Sequence, residues 1–278
     1  NVMGPDEYHD AYPGAEEPGL KNNAYTNLMA AWVLSRALDV LDVLEEARRQ
    51  TLCERLSLTP DEIAQFEDVS RRIRLVINED GIISQFEGYE ALEEFDWAGY
   101  RAKYGDISRL DRILEAEGDT PNRYKLSKQA DVLMLFYLFS SEELGALFER
   151  LGYAFAYETI PDNVDYYLQR TAHGSTLSRV VHSWVLARRD RAQSWRLLTE
   201  ALESDLADIQ GGTTPEGIHL GAMAGTIDLI QRCYSGLEIR GGVLWFNPCL
   251  PETLQVIRQR IRYRGHSIDM EITKYAAP

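Results

Sequence analysis

Apolar residues recur every three to four positions along most of the chain as far as Tyr234, the period of helices that turn one face to a core. Over residues 23–49, Leu28, Trp32, Ser35, Leu38 and Asp42 share one face, which predicts a long amphipathic helix. Thr59-Pro60-Asp61-Glu62 predicts a second helix start. Thr59 would be the N-cap, Pro60 the first helical residue and Glu62 the return arm of a capping box, with Leu58 and Ile63 as a hydrophobic staple. Residues 78–127 are interrupted by Gly81, Gly88, Gly99, Gly105, Gly118 and Pro121, leaving room for one short helix near 107–114. Helical spacing resumes in two pairs, 128–139 with 142–156 and 175–189 with 191–207, followed by a helix over 216–233. After Leu237 the period changes to two. Val243-Leu244-Trp245-Phe246 reads as a short buried strand, and Ile261-Arg262-Tyr263 faces Ser267 to Ile272 across Arg264-Gly265-His266.

The joints alternate in length. Those after Phe139 and Arg189 are very short, whereas those entering Lys128, Ser175 and Glu216 are long and rich in Gly, Pro, Thr and Asn. If helices alternate between an inner and an outer ring, the long loops gather at the N-terminal ends of the inner helices, on one face of an α/α toroid. The expected architecture is mainly α, a toroid-type helical domain over residues 1–236 with a small antiparallel β-domain over 237–278. Helix N-termini on such a face favour anionic ligands.

Composition narrows the function. With 45% hydrophobic and 26% charged residues in 278, the chain can fill a core, and its longest apolar run, 132–139, is far short of the roughly 20 residues a bilayer span requires. A net charge of −15 disfavours nucleic acid and anionic membranes as partners. Cys53, Cys233 and Cys249 are odd in number and widely spaced, which argues against a disulfide framework or zinc site and for a reducing cytoplasm. The chain enters dense motifs directly after Asn1-Val2-Met3-Gly4 and reads as one part of a longer protein.

Four polar clusters fall where the toroid would place a site: Gly4-Pro5-Asp6-Glu7-Tyr8-His9, Lys128-Gln129-Ala130-Asp131, His173-Gly174-Ser175-Thr176-Leu177-Ser178, and Gly211 to His219. Glu7 is a candidate general acid, since a carboxyl beside aromatic surface such as Tyr8 can stay protonated near neutrality. An exposed acidic loop is the alternative. His173, Ser175 and Thr176 suit an oxyanion: hydroxyls and amides converge at a helix start, Gly174 permits close approach, and His173 could add positive charge. Ser175, and Thr214 before Pro215, would equally serve as helix caps. His9 and His219 lack the spacing of a metal pair, so no metal is expected.

Taken in order, GPDEYH at 4–9, NNAYTN at 22–27, KQAD at 128–131, HGSTLS at 173–178 and GGTTPEGIHLGAMAGT at 211–226 resemble glycoside hydrolase family 65, which holds maltose, trehalose and kojibiose phosphorylases. The resemblance implies an (α/α)6 barrel followed by a small β-domain. It implies Glu7 as general acid, Lys128 and Gln129 on sugar hydroxyls, and His173, Ser175 and Thr176 around phosphate. The implied reaction is inverting phosphorolysis of an α-linked glucose disaccharide to β-glucose 1-phosphate, with inorganic phosphate as co-substrate and no metal or organic cofactor. The family's N-terminal β-sandwich and first barrel helices, with a tryptophan-acid motif lining the sugar pocket, have no counterpart here. Two alternatives stand beside it: a hydrolase in which a carboxylate such as Glu216 activates water, and a non-catalytic carbohydrate-binding or assembly piece. Linkage and oligomeric state stay open, a homodimer being one option.

Overall fold

In the computed structural model, described for residues 2–209, 212 and 214–274 apart from the Glu216 side chain, the chain is mostly helical with small antiparallel sheets at its C-terminal end. The helices are α1 (Ala24–Val43), α2 (Glu46–Leu56), α3 (Pro60–Arg72), α4 (Trp97–Tyr104), α5 (Leu110–Ala116), α6 (Asp131–Leu138), α7 (Ser141–Arg150), α8 (Ile160–Leu168), α9 (Thr176–Leu186), α10 (Arg191–Glu203) and α11 (Leu220–Asp228). The strands are β1 (Glu93–Glu94), β2 (Tyr124–Lys125), β3 (Leu237–Arg240), β4 (Val243–Phe246), β5 (Val256–Tyr263) and β6 (His266–Thr273). They fall into two compact units, Asn1–Trp97 with Leu114–Arg170, and Ala98–Ile113 with Thr171–Pro278.

In the first unit α1 is the central packing element, meeting α3, α6 and α7. Asn23 caps it by accepting from the Thr26 amide at 2.9 Å. The predicted face buries Leu28 and Ser35 but leaves Asp42 exposed, and the helix does not run on to residue 49. Leu44 and Glu45 are extended and a separate α2 follows. No proline or glycine marks this break; β-branched Val40 and Val43 and the lack of a basic residue in the last turn weaken the end of α1. Thr59 caps α3 as expected, its hydroxyl accepting from Glu62 N at 3.2 Å. Arg150 of α7 ties back to α3 through Ser70 at 2.7 and 3.0 Å and through Glu67. The α6–α7 joint carries a full capping box between Ser140 and Glu143. In that pair α7 ends at Arg150, six residues before the expected 156.

Helices α4 and α8 were not anticipated. Gly99 inside α4 reads as a loop residue, and Pro161 in the first turn of α8 is its local start signal. α8 earns its place through side-chain bonds to a neighbouring loop: Asn163 Oδ1 accepts from Ile83 N at 2.8 Å, and Tyr167 donates its hydroxyl proton to Ile83 O at 2.5 Å.

In the second unit α9, α10 and α11 pack against one another. Gly225 of α11 lies so close to α9 that a β-carbon there would stand 2.7 Å from Val180 Cγ1. The final helix is shorter than expected: α11 begins at Leu220, and Leu229–Tyr234 continues as a wider π-type turn. Two hairpins follow. β5 and β6 pair in antiparallel register, Ile261 opposite Ile268 and Tyr263 opposite His266, so the turn is the two residues Arg264-Gly265, both with positive φ, and His266 belongs to the strand. β3 and β4 are joined by Gly241-Gly242 with the same geometry. The apolar run of β4 is not buried as expected. Val243, Trp245 and Phe246 are exposed, since a short apolar run alone does not reveal which face is covered.

Candidate active site

The first candidate centre lies in the first unit, where the N-terminal segment is pinned before it reaches Glu7. Val2 pairs with Leu20. His9 is buried edge-on against Phe86 and Tyr89, with ring centroids at 5.1 and 5.8 Å, and donates Nε2–H to Tyr124 O at 2.9 Å. Burial pushes the imidazole down to about 4, so it sits there neutral as a packing group. Asp10 and Asn122 exchange bonds of 2.7 and 3.2 Å.

Glu7 is thereby brought to the turn that precedes α6. Its Oε2 accepts from Lys128 N at 2.7 Å and its Oε1 from Asp131 N at 2.9 Å. Two amides three residues apart can converge on one carboxylate because Ala130 adopts a left-handed conformation, φ 63°, which also delays the start of α6 from the expected residue 128 to Asp131. The Glu7 pKa is raised well above the usual carboxylate value, first by burial and next by the nearby Asp131 charge, against the two amides that favour ionisation. The Asp131 charge is the contribution that the sequence does not single out.

Lys128 and Gln129 are drawn into the same cluster. The Lys128 ammonium binds Asp6 Oδ1 at 2.5 Å, leaving two of its protons for other acceptors. Gln129 is buried, donates Nε2–H to Asp131 Oδ1 at 3.2 Å, and has a buried Oε1 without a donor among the described residues. Asp131 stands in the KQAD motif, but residue type alone gives it no role there.

The second candidate centre lies in the second unit, where His173, Ser175 and Thr176 gather at the start of α9. Ser175 is the N-cap: its hydroxyl accepts from Leu177 N at 3.2 Å, which leaves its own proton for another acceptor. Thr176 opens the helix, where backbone amides have no intrahelical acceptor. His173, with φ 56°, receives or gives a bond between Nδ1 and Ser178 Oγ at 2.8 Å. Burial, then the neighbouring His182 and Arg179, hold its pKa well below the ordinary value, so His173 is neutral and does not supply the positive charge expected of it.

The tautomer follows from the bonds. His182 Nδ1 lies 2.8 Å from the Ser178 carbonyl oxygen, which only accepts, so His182 carries its proton on Nδ1. Cationic character near the cradle comes instead from Arg179, whose guanidinium reaches the His173 carbonyl at 3.4 Å and Glu200 at 3.2 Å. In the same unit Asp205 accepts from both the amide and Nδ1 of His219, at 3.0 and 2.6 Å, and so fixes that ring. Gly211, Thr213 and the Glu216 side chain lie outside the described residues.

Comparison with known proteins agrees with these motifs. Residues 1–228 match the family model of the glycosyl hydrolase family 65 central catalytic domain, and residues 237–277 that of the family's C-terminal domain. An uncharacterized glycosyl hydrolase of Mycobacterium tuberculosis is 56% identical over 99% of the chain and 21% of its own length. Trehalose 6-phosphate phosphorylase of Lactococcus lactis is 41% identical over 98% of the chain and 34% of its own length. Kojibiose phosphorylase of Caldanaerobacter subterraneus is 32% identical over 99% of the chain and 33% of its own length. A solved structure provisionally assigned as a kojibiose phosphorylase from the human microbiome has the same fold, with a TM-score of 0.72 at 22% identity over 98% of this chain and 34% of that one. The chain therefore spans about a third of the phosphorylases it matches. On these matches it belongs to glycoside hydrolase family 65.

Proposed function

We propose that this chain carries the acid and the phosphate-binding elements of an inverting phosphorylase that acts on an α-linked glucose disaccharide. The observation that carries the reading is the Glu7 carboxyl, half-buried, clamped by two amides and with its pKa raised well above the usual carboxylate value. Such a group can give its proton to a glycosidic oxygen as the bond to the anomeric carbon breaks. In an inverting reaction phosphate attacks that carbon from the face opposite the leaving oxygen, and the Ser175 and Thr176 hydroxyls, the first amides of α9 and the His173 ring are its proposed ligands. The products are β-glucose 1-phosphate and the released sugar. Lys128 and Gln129 bind sugar hydroxyls, the former through its spare ammonium protons and the latter through Oε1.

Identity to a trehalose 6-phosphate phosphorylase exceeds that to a kojibiose phosphorylase, so a phosphorylated disaccharide belongs among the substrates tried. The protein is incubated with trehalose, trehalose 6-phosphate, kojibiose and maltose, with and without inorganic phosphate, and β-glucose 1-phosphate is detected. Product that appears only with phosphate is expected. Glucose release indifferent to phosphate would make the protein a hydrolase.

A further inference from the structure

The Glu7 site contains a second acid, fully buried, whose hydrogen bonding is incomplete. Asp131 is fully buried, its Oδ1 receives one proton from Gln129 at 3.2 Å, and its Oδ2 has no donor among the described residues. Glu7 by contrast receives two backbone protons. The two side chains flank Gly4: a β-carbon there would stand 2.3 Å from Asp131 Oδ2 and 3.3 Å from Glu7 Cβ and Cγ. Glycine at this position therefore permits an approach that any side chain would block. An ionised carboxylate short of donors in such a place is costly, and two ionised carboxylates side by side cost more.

We propose that Asp131 is a positioning residue for the catalytic proton, a buried carboxyl that shares a site with Glu7 and keeps Glu7 protonated by opposing its ionisation. The proposal rests on the reading of Glu7 as the acid. Its supporting geometry is the convergence of the Glu7 carboxylate on the Asp131 amide and the absence of a second donor for the Asp131 side chain. Consistently, burial raises the Asp131 pKa to about 7 against the Gln129 bond, so its charge develops just where Glu7 must hold its proton. The other charged or titratable groups facing the pair are few. Asp6 raises both acids, Lys128 from the same turn lowers Asp131, Tyr25 of α1 faces Asp131, and Tyr89 and Tyr167 face Glu7. The Lys128 charge is itself bound to Asp6, which limits how far it offsets Asp131.

Removing the Asp131 charge should let Glu7 ionise at lower pH. The test is carbon-13 NMR of the Glu7 and Asp131 carboxyls, titrated in wild type and in Asp131→Asn. In wild type the Glu7 resonance should show two inflections, one at the midpoint of Asp131, because coupled acids report each other's titration. In Asp131→Asn the Glu7 midpoint should fall by at least about one pH unit, a tenfold rise in the ratio of ionised to protonated Glu7 at a given pH. In the phosphorolysis assay the alkaline limb of kcat/KM should move to lower pH by the same amount, with the acid-side plateau largely kept. A purely structural role would lower activity at every pH without moving the limb.

A single Glu7 inflection with Asp131 titrating near 4, or an unmoved Glu7 midpoint in a folded Asp131→Asn protein, would overturn the proposal. The wild-type titration decides even if the variant does not fold. Coupled titration in a protein that forms no β-glucose 1-phosphate would support the acid pair while removing the reaction assigned to it.

Discussion

At the scale of the residue, Glu7 and Ser175 make separable demands. General-acid assistance contributes about 10²–10⁴ in rate, so Glu7→Gln should lower turnover of an unactivated disaccharide at least a hundredfold. A substrate whose leaving group needs no proton should lose far less; equal losses would make Glu7 a sugar-binding residue. Ser175 already serves as a cap, so Ser175→Ala should cost about 1 kcal/mol of stability whatever it does to phosphate. Thr176 is the cleaner probe. Thr176→Val keeps the shape and the helix start but removes the hydroxyl, and should weaken phosphate binding in a calorimetric titration while leaving the melting temperature nearly unchanged. Unchanged phosphate affinity would take Thr176 out of the site.

At the scale of the element, the features legible in the sequence were those with local chemical signals. The Thr59 cap, the Ser140 joint and the existence of the last hairpin follow from short-range preferences, although its turn is one residue tighter than the sequence indicates. The break at Leu44–Glu45 carries no such signal, and α8 is held by Asn163 and Tyr167 reaching a loop some eighty residues earlier. Within the site the motifs singled out Glu7 and its partners in KQAD. They could not reveal that Ala130 turns left-handed, nor that the amide of Asp131 points at Glu7, because neither depends on residue type. Ala130 is accordingly a test of how the turn is built. An ordinary helical Ala→Gly change at a buried site would lose about 1.5–2 kcal/mol from backbone freedom and a lost methyl. Here release of left-handed strain, about 1–2 kcal/mol, should offset that loss. Ala130→Gly should therefore stay within about 0.5 kcal/mol of wild type in denaturant titrations. A full loss would mean that the left-handed turn carries no strain to release.

At the scale of the whole molecule, the buried titratable groups set opposing slopes of stability with pH. Glu7 and Asp131 are harder to ionise in the folded chain than in the unfolded one, so they favour folding at acid pH and lose that contribution as pH rises through about 7 for Asp131. His9 and His182 act the other way. Each titrates near 4 when folded and near 6.5 when unfolded, so their contribution is complete above pH 6.5 and is lost as pH falls toward 4. His9 can be isolated from the rest because glutamine can keep its bond: the amide Nε2–H can still donate to Tyr124 O while carrying no titratable proton. The stability difference between wild type and His9→Gln should be constant above pH 7. It should then move steadily against wild type as pH falls from 6.5 to 4, by a total on the order of 3 kcal/mol for a shift of that size. Urea unfolding at intervals across that window provides the measurement. A difference that does not change with pH would mean that His9 takes up its proton as readily in the folded chain as in the unfolded one, and the neutral, aromatic-packed imidazole that anchors the Glu7 segment would have to be abandoned.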